Sequence, residues 1–361
     1  MKFYFNSTLL VIIILFSNNT YAQYKQVEST IKDYLVGTKT GDIDRIKSAF
    51  HHDATLYTID GNDVKEIKLK DYLGFFEPGK VNTRKGEIVN IDIQQDAANA
   101  IVNVYFKGGK FTDYMILLDT KDGWKMIKKS YTAVPYDYKG RILFVLSNES
   151  TYGNSEYTTG AHFEEIIVPY DKLTKSGYIV DVVSPDGGAI PISYMDLSDS
   201  LQLDYFYNLR LMSKLKNSLN PDEVDVKKYK AIYFVGGSAA MYDLPNNANI
   251  SELTRRIYEE ENGVVAALCH GSAGLVNVML SDGTYLVHGK TINSFTNEEE
   301  SKISKNLLPF LLETKLRERG AIFKESKPGQ SHVEVDGRII TGQNPDSSAE
   351  FIEKIVEQLK D

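Results

Sequence analysis

Four short apolar segments between residues 141 and 268 constrain the fold of this chain more than any other feature of its sequence. They are rich in β-branched and aromatic residues and read RILFVL (141–146), YIVDVVS (178–184), KAIYFV (230–235) and VVAAL (264–268). Amphipathic helical stretches lie between them at 161–176 and 250–260, and another lies at 348–359. Apolar strands that alternate with helices predict an α/β domain whose parallel sheet is covered by helices on both faces.

Residues 24–134 have a different pattern, in which helical segments come first and strand-like segments follow. Helical spacing of apolar residues predicts a helix that ends at Gly41, followed by short helices at 43–50 and near 69–76. Strand-like stretches at 87–94, 99–106, 111–118 and 124–131 are separated by turn signals such as Gly108-Gly109. This order predicts a small α+β domain in which a curved antiparallel sheet wraps around helices.

Two pieces of this region, GDIDRIKSAFHHDATLY and DGWKMIKKSYTAV, resemble the SnoaL-like, nuclear-transport-factor-two-like cone fold and its lumazine-binding-like branch. The resemblance implies a cone that serves as an enzyme pocket, a ligand site or a dimerisation surface. His51 and His52 are expected to begin a loop after the second helix. They have no third ligand at a suitable spacing, so we interpret them as solvated surface residues and predict no metal site.

The first 22 residues have the features of an export signal. Lys2 precedes the apolar run LLVIIILF (9–16), and Thr20-Tyr21-Ala22 resembles the cleavage site of a signal peptide, which consists of small residues. The run is too short to span a bilayer, which needs about 20 residues. We therefore expect an exported protein, periplasmic or secreted, that begins at Gln23 and has no membrane span. The predicted organisation is a signal peptide (1–22), a cone domain (23–134), a linker (135–140) and an α/β domain (141–361).

The charge of the chain limits the kinds of partner to expect, and its cysteine content limits disulfide formation. The net charge is −8 and the lysine and arginine residues are scattered, which argues against nucleic acid or an anionic membrane surface as the main partner. Cys269 is the only cysteine, so no intramolecular disulfide can form. A lone thiol in an exported protein is expected to be either buried or used in chemistry.

The sequence around Cys269 favours use in chemistry. The predicted strand 264–268 runs directly into Cys269-His270-Gly271, and an apolar helical stretch follows. A nucleophile at such a strand-to-helix turn stands at the carboxyl edge of the sheet, where open α/β sheets bind their ligands. The N-terminus of the following helix is expected to favour thiolate and to lower the pKa of the cysteine. The neighbouring His270 can act as its base.

The motif AALCHGSAGL resembles the nucleophile elbow of the PfpI-like superfamily, which has a class I glutamine-amidotransferase-like, flavodoxin-like fold and includes a deglycase and chaperones with glyoxalase III activity. Further segments agree in order, among them TGAHFEEIIVPYDKLTKSGYIVDVVSPDGG, YKAIYFVGGSAAMYDLP and IITGQNPDSSAEFIEKIV. The resemblance covers about residues 139–361 and favours the chaperone and glyoxalase III branch.

The resemblance implies a catalytic role for several residues of this chain. Cys269 is expected to be the nucleophile, His270 its base, and Glu165 the helix carboxylate that hydrogen-bonds the thiol, with Glu164 as the alternative one position earlier. A half-buried helix carboxylate has a raised pKa, which suits a proton shuttle.

An acidic residue is also expected to orient His270. Glu300 aligns best, and Glu299 is the alternative because the run Glu298-Glu299-Glu300 leaves the register open. A charged helix N-terminus would explain these acidic residues equally well.

The loop expected to stabilise an oxyanion departs from the pattern of the superfamily. Many relatives have Gly-Gly-His-Gly where this chain has Gly236-Gly237-Ser238-Ala239. Gly236 and Gly237 are still expected to offer backbone N–H groups to an oxyanion, with Ser238 and Gly271 lining the pocket. The absence of this histidine is expected to change the pocket wall, and with it the choice of substrate and the activity itself.

These observations predict an exported cysteine-nucleophile enzyme, a glyoxalase III-like lyase or a hydrolase, that acts on small reactive carbonyls. No cofactor is expected, because the sequence has neither a Walker loop nor a Rossmann glycine fingerprint. The alternatives are a non-catalytic chaperone-like or redox-sensing protein and a ligand-binding protein that acts through the cone. A homodimer is expected by analogy with proteins of both folds.

Overall fold

The computed structural model describes the backbone of residues 7–360 and the side chains of residues 22–360. The chain divides into two compact units, Met1–Tyr138 and Lys139–Asp361, and the division falls inside the predicted linker. Within the described residues, no helix is both long and apolar enough to cross a membrane. The predicted signal peptide lies, except for Ala22, outside the residues whose side chains are described.

The first unit contains three helices and six strands among the described residues. They are α1 (Ser7–Thr40), α2 (Ile43–Ala49), β1 (Phe50–Asp60), β2 (Asp63–Lys68), α3 (Leu69–Leu73), β3 (Lys85–Gln94), β4 (Ala97–Phe106), β5 (Gly109–Thr120) and β6 (Gly123–Pro135). The strands form one sheet in the order β2-β1-β6-β5-β4-β3, antiparallel except for the parallel β1–β6 pair. Residues of the three helices, such as Val27, Ile46 and Tyr72, share one core with the sheet. The expected α+β architecture with an antiparallel sheet is therefore confirmed.

Strands β1 and β2 were not predicted from the sequence, and His51 and His52 lie in β1 rather than in a loop. Three consecutive polar residues at the start of β1 conceal its strand pattern, which emerges only at the buried Ala54 and Leu56. The register of β1 against β6 shifts between Phe50 and Thr55, which accommodates the polar stretch.

The second unit is larger, and its strands alternate with helices as predicted. In chain order its elements are β7 (Gly140–Val145), β8 (Ala161–His162), α4 (Phe163–Lys175), β9 (Tyr178–Val183), β10 (Ile192–Ser193), α5 (Ser200–Phe206), α6 (Leu209–Lys216), β11 (Tyr229–Phe234), α7 (Ala240–Asp243), α8 (Ala248–Glu259), β12 (Val264–Leu268), β13 (Thr291–Ile292), α9 (Lys302–Leu307), α10 (Leu312–Glu318), β14 (Ile322–Phe323), β15 (Val333–Asp336), β16 (Ile339–Gly342) and α11 (Ser348–Gln358). Short 3₁₀ turns complete it, including one at Cys269–Leu275.

The main sheet of this unit has the order β15-β16-β12-β11-β7-β9 and is parallel except for the β15–β16 pair. One core cluster covers each face of the sheet, with α4 and α11 on one face and α8 on the other. The chain runs from β7 outward to β9 and then crosses back to β11, so the sheet order reverses between β7 and β11. Loops at the carboxyl ends of these strands are where such sheets bind ligands.

Candidate active site

Cys269 occupies a strained turn directly after β12. Its φ is +56°, a left-handed conformation that is uncommon for a residue with a side chain. The next turn packs tightly on β11, because a Cβ at Gly271 would lie 2.2 Å from the carbonyl oxygen of Phe234. The turn is a seven-residue 3₁₀ segment, whereas the sequence predicted an apolar helix at this place. The cysteine is 3% exposed, so its position is fixed by packing.

His270 links the thiol to a buried acid. Its Nδ1 lies 3.4 Å from Cys269 Sγ, and its Nε2 lies 2.6 Å from Glu300 Oε1. Burial opposes ionisation of Glu300, but the hydrogen bond from His270 holds the pKa of this carboxyl below its usual value. A carboxylate at Nε2 fixes the proton on that nitrogen, which leaves the Nδ1 lone pair free to accept a proton from the thiol. Of the two glutamates that the sequence left open, Glu300 therefore contacts the imidazole.

Glu299 has a different place in the structure. Its carboxylate accepts five hydrogen bonds that tie its own loop to the segments around residues 329 and 343. The donors are the backbone N–H and hydroxyl of Thr296, the N–H of Gly329, and the side-chain amides of Gln343 and Asn344. This residue holds the loop that carries Glu300.

The two neighbouring glutamates provide a matched pair of variants. We expect Glu300→Gln to lower kcat by about 10²-fold, because the neutral amide no longer stabilises a protonated imidazole. Glu299→Gln is expected instead to lower the free energy of unfolding by about 2 kcal/mol, because charge-assisted hydrogen bonds are replaced by neutral ones. Kinetics and thermal unfolding of both variants test the assignment, and a larger kcat loss in Glu299→Gln would contradict it.

Glu165 lies opposite the thiol, across the backbone of Gly236. Its carboxyl is fully buried, and Oε2 accepts a hydrogen bond of 2.9 Å from the Gly236 N–H. Burial raises the pKa of Glu165 to about 8, although interactions with the Cys269 thiol and the Gly236 N–H partly offset this effect. Glu164 is the more exposed of the two helix glutamates. The structure thus places Glu165, rather than Glu164, beside the nucleophile.

The expected lowering of the Cys269 pKa is wrong for this arrangement. Burial raises the pKa of the thiol well above its ordinary value, and the neighbouring Glu165 carboxyl raises it further. The backbone N–H of His270 opposes this shift but does not overcome it. An α-helix N-terminus would lower the pKa of the thiol, but the structure has a short 3₁₀ turn at this place. Formation of the thiolate therefore depends on proton transfer to His270 or Glu165.

The glycine loop after β11 differs in part from the predicted oxyanion site. The N–H of Gly236 is already donated to Glu165, so this glycine does not supply a free donor. Among the described residues no backbone hydrogen bond is donated by the N–H of Gly237, which has a φ of +104° and remains the candidate donor. Gly271 packs against β11, and Ser238 bonds to tyrosine hydroxyls.

We expect Gly236→Ala to lower kcat/KM by about 10²-fold or more, because reacting groups displaced by 1 Å lose much of their effect. A Cβ at this position would lie 2.3 Å from Glu165 Oε2 and 2.9 Å from Cys269 Cβ, so the two side chains would be forced apart. Gly74→Ala is the control, since Gly74 has an ordinary helical φ of −66° in the other unit. Parent-like kinetics of Gly236→Ala would contradict the proposed alignment.

Four residues near the nucleophile were not assigned to the site from the sequence. The hydroxyls of Tyr152, Thr159 and Tyr194 cluster with Ser238, and His162 stacks on Tyr194 with ring centroids 5.1 Å apart. His162 is half-buried, ends β8 directly before α4, and has a buried Nδ1. Nothing in the local pattern connects these loops, which meet only through the folded sheet.

His51, His52 and Asp53 bring their ligand atoms within 4.8 Å of one another in the first unit. Asp53 is the third group that the spacing of the histidines did not indicate. The side chains of His52 and Asp53 are 79% and 78% exposed and contact each other at 3.1 Å. Exposed clusters of this kind are common without an ion, and we assign no metal to it.

Comparison with known proteins agrees with both halves of the fold. Residues 157–358 match the DJ-1/PfpI family, and residues 22–132 match a family described as putative lumazine-binding. A glutathione-independent glyoxalase of Schizosaccharomyces pombe is 30% identical over 250 residues, which cover 62% of this chain and 98% of that protein. Glyoxalase 3 of Candida albicans is 27% identical over 234 residues, or 60% of this chain and 97% of that protein.

Solved structures resemble the second unit. The Rapid Encystment Protein 24 kDa of Francisella tularensis is 37% identical with a TM-score of 0.58, covering 61% of this chain and 99% of that chain. The crystal structure of Candida albicans glyoxalase III, at 24% identity, shares the fold with a TM-score of 0.54 over 61% of this chain and 98% of that chain. The matched family covers more than half of the residues, and so the chain belongs to the DJ-1/PfpI family.

Proposed function

We propose that the protein is a glutathione-independent glyoxalase that converts 2-oxoaldehydes, with methylglyoxal as the simplest test substrate, into 2-hydroxy acids. The observation that carries the proposal is the buried Glu165 carboxyl, which flanks the Cys269 thiol across Gly236 and has a pKa of about 8. A carboxyl with such a pKa can both accept and return a proton near neutral pH. The relatives named glutathione-independent glyoxalase support the same assignment.

The first step forms a covalent adduct. The Cys269 proton passes to His270 Nδ1, 3.4 Å away, and the thiolate attacks the aldehyde carbon of the substrate. A C–S bond forms while the carbonyl π electrons move to oxygen, giving a hemithioacetal once His270 returns its proton to that oxygen. The N–H of Gly237 is the candidate donor to the oxyanion.

The second step moves a proton between the two substrate carbons. Glu165 removes the C1 proton of the hemithioacetal, and the electron pair forms an enediolate while His270 carries the proton of the C1 hydroxyl to the C2 oxygen. Glu165 then returns its proton to C2, which leaves a thioester of the 2-hydroxy acid. C1 is oxidised while C2 is reduced, so no external oxidant or reductant is needed.

The last step releases the product. His270, held by Glu300 at 2.6 Å, accepts a proton from water, and the resulting hydroxide attacks the thioester carbonyl. The C–S bond breaks, and His270 returns its proton to the leaving thiolate. The net reaction adds one water to the 2-oxoaldehyde. The same base and thiol would serve hydrolysis of an acyl substrate, and the proton shuttle at Glu165 is what favours the glyoxalase assignment.

The redox-sensor alternative receives less support from this site. Ready oxidation needs an accessible thiol with a low pKa. Cys269 is 3% exposed, and burial raises its pKa.

The test is to incubate the full chain with methylglyoxal in the absence of glutathione and to follow lactate by proton NMR. We expect lactate to accumulate in proportion to enzyme, with a rate that does not change when glutathione is added. Failure to form lactate, or formation only with glutathione, would reject the proposal.

The protein is further proposed to be exported and dimeric. The apolar run at 9–16 and the cleavage-like Thr20-Tyr21-Ala22 support export. Intact mass spectrometry of the protein from the extracytoplasmic fraction should give a chain that begins at Gln23, whereas uncleaved protein in the cytoplasm would contradict export.

Light scattering should give twice the mass of one chain, and the mass of a single chain would exclude the dimer.

A further inference from the structure

Four hydroxyl groups meet beside the glycine loop of the active site, and we call them the hydroxyl cluster: Tyr152, Thr159, Tyr194 and Ser238. The Tyr152 hydroxyl lies 3.1 Å from both Tyr194 and Ser238, Thr159 lies 3.1 Å from the Tyr194 hydroxyl, and Tyr194 lies 3.4 Å from Ser238. Tyr194 is 44% exposed, whereas Thr159 and Ser238 are buried. The cluster therefore leads from solvent to the residue that follows Gly237.

Tyr194 adopts a strained backbone conformation to take its place in the cluster. Its φ is +57°, which costs energy for a bulky aromatic residue and is found most often where function requires it. In the second unit, the other described non-glycine residues with positive φ are Asn262, a residue type that tolerates this region, and the nucleophile Cys269. The ring of Tyr194 is parallel to that of His162, with 8° between the planes.

His162 connects this wall to the catalytic residues. Its backbone N–H donates to the carbonyl of Gly236 at 2.9 Å, directly beside Glu165 and Cys269. Its Nδ1 is buried and has no hydrogen-bond partner among the described residues. Burial and the charge of His270 lower the pKa of His162 to about 4, so its imidazole is neutral at pH 7. A neutral imidazole offers one donor and one acceptor to a ligand.

We propose that His162 and the hydroxyl cluster form a second subsite that binds hydroxyl groups on the substrate, so that hydroxylated 2-oxoaldehydes are preferred to methylglyoxal. The inference rests on the proposed glyoxalase function and specifies its substrate class. A methyl group leaves the buried His162 Nδ1 without a partner, whereas a hydroxymethyl group can hydrogen-bond this atom and join the hydroxyl cluster. Sites built to bind a hydroxyl discriminate strongly against analogues that lack it.

The chemistry is unchanged for such a substrate. Hydroxypyruvaldehyde and one water give glycerate by the same steps, because the added hydroxyl lies on C3, outside the bonds that form and break. C1 is oxidised to the acid, C2 is reduced to the alcohol, and the C3 hydroxyl is retained. The subsite therefore acts on affinity and orientation alone.

The kinetic test compares kcat/KM for hydroxypyruvaldehyde and for methylglyoxal in the full chain. We expect a preference of about tenfold or more for hydroxypyruvaldehyde. Tyr194→Phe keeps the stacked ring and removes one hydroxyl, and His162→Phe removes the imidazole nitrogens. Each variant should reduce this preference at least fivefold, and circular dichroism and melting temperature will establish that both are folded. Equal kcat/KM for the two substrates in the parent, or an unchanged ratio in both variants, would overturn the proposal.

Tyr205→Phe is the matched control. The Tyr205 hydroxyl bonds to Asp171 at 2.8 Å and is not part of the cluster, so the ratio should stay at the parent value. A change in the ratio as large as that of Tyr194→Phe would also count against the subsite.

A binding measurement separates this inference from the proposed function. Calorimetry on Cys269→Ser with glycerate and with lactate reports the subsite without turnover. We expect glycerate to bind at least fivefold more tightly, and Tyr194→Phe in the same background to remove the difference. Equal binding would overturn the subsite even if methylglyoxal is turned over, and tighter glycerate binding without turnover would reject only the glyoxalase reaction.

Discussion

Replacing Cys269 with serine is expected to lower kcat for methylglyoxal by at least about 10³-fold, because an alcohol is a far weaker acid and nucleophile than a thiol. The change removes no other thiol chemistry, since the chain has a single cysteine. Serine tolerates the φ of +56° as well as cysteine does, and the two side chains have nearly the same shape. The folded state should therefore be preserved, and the loss should appear in kcat rather than in thermal stability.

The comparison needs initial rates of lactate formation and a melting curve for both proteins. A serine variant that keeps activity within tenfold of the parent would exclude a hemithioacetal formed by Cys269. A variant with a large drop in melting temperature would make the kinetic loss uninformative, and Cys269→Ala would then replace it. A matching loss in the folded alanine variant would support the covalent step, and activity close to the parent would exclude it.

The residues that meet at the nucleophile could be predicted because their strands end at one edge of a parallel sheet. Cys269 follows β12 and the glycine loop follows β11, which is its neighbour in the sheet. Apolar runs located these strands to within a residue or so, and strand polarity then placed the loops together. The resemblance to a known superfamily supplied Glu165 and Glu300, which periodicity alone does not distinguish from solvated acids.

The electrostatics of the site could not be predicted in this way. Burial of Cys269 and the opposing Glu165 raise the pKa of the thiol, and both effects depend on contacts across about 100 residues of chain. The choice between Glu299 and Glu300 likewise depends on side-chain direction, which a run of three glutamates does not reveal. His162 and Tyr194 are another example, because their stacking needs β8 and β10 to pair.

The second large effect is expected for Glu165→Gln, which should lower kcat by about 10³-fold. The amide is close in size and can still accept the Gly236 N–H, but it cannot remove the C1 proton of the hemithioacetal. Tyr233, whose hydroxyl donates to the backbone carbonyl of Glu165, keeps the helix in place in both proteins. The Glu164→Gln variant is the matched control, and we expect it to retain most of the parent activity.

The pH dependence of the parent should identify the same carboxyl. The pKa of Glu165 is about 8, so below this pH the carboxyl is protonated and cannot act as a base. We expect kcat/KM to rise with pH between 7 and 9 with a midpoint near 8. In Glu165→Gln this inflection should vanish. A parent profile that is flat over this range would contradict the role of Glu165 as the proton shuttle.

The free energy of unfolding should fall as pH rises, whereas the activity should rise. The folded state holds the Glu165 proton up to about pH 8, whereas the unfolded chain releases it near the ordinary value of about 4.5. The folded state therefore loses stability relative to the unfolded chain as pH rises from about 4.5 to 8, by up to about 5 kcal/mol. Glutamine has no proton to lose, so the melting temperature of Glu165→Gln should exceed that of the parent at pH 8.5 and approach it at pH 5. A variant that is less stable than the parent at pH 8.5 would mean that hydrogen bonds compensate the buried Glu165 carboxylate for its lost hydration. The ionised carboxylate next to Cys269 would then not destabilise the folded state.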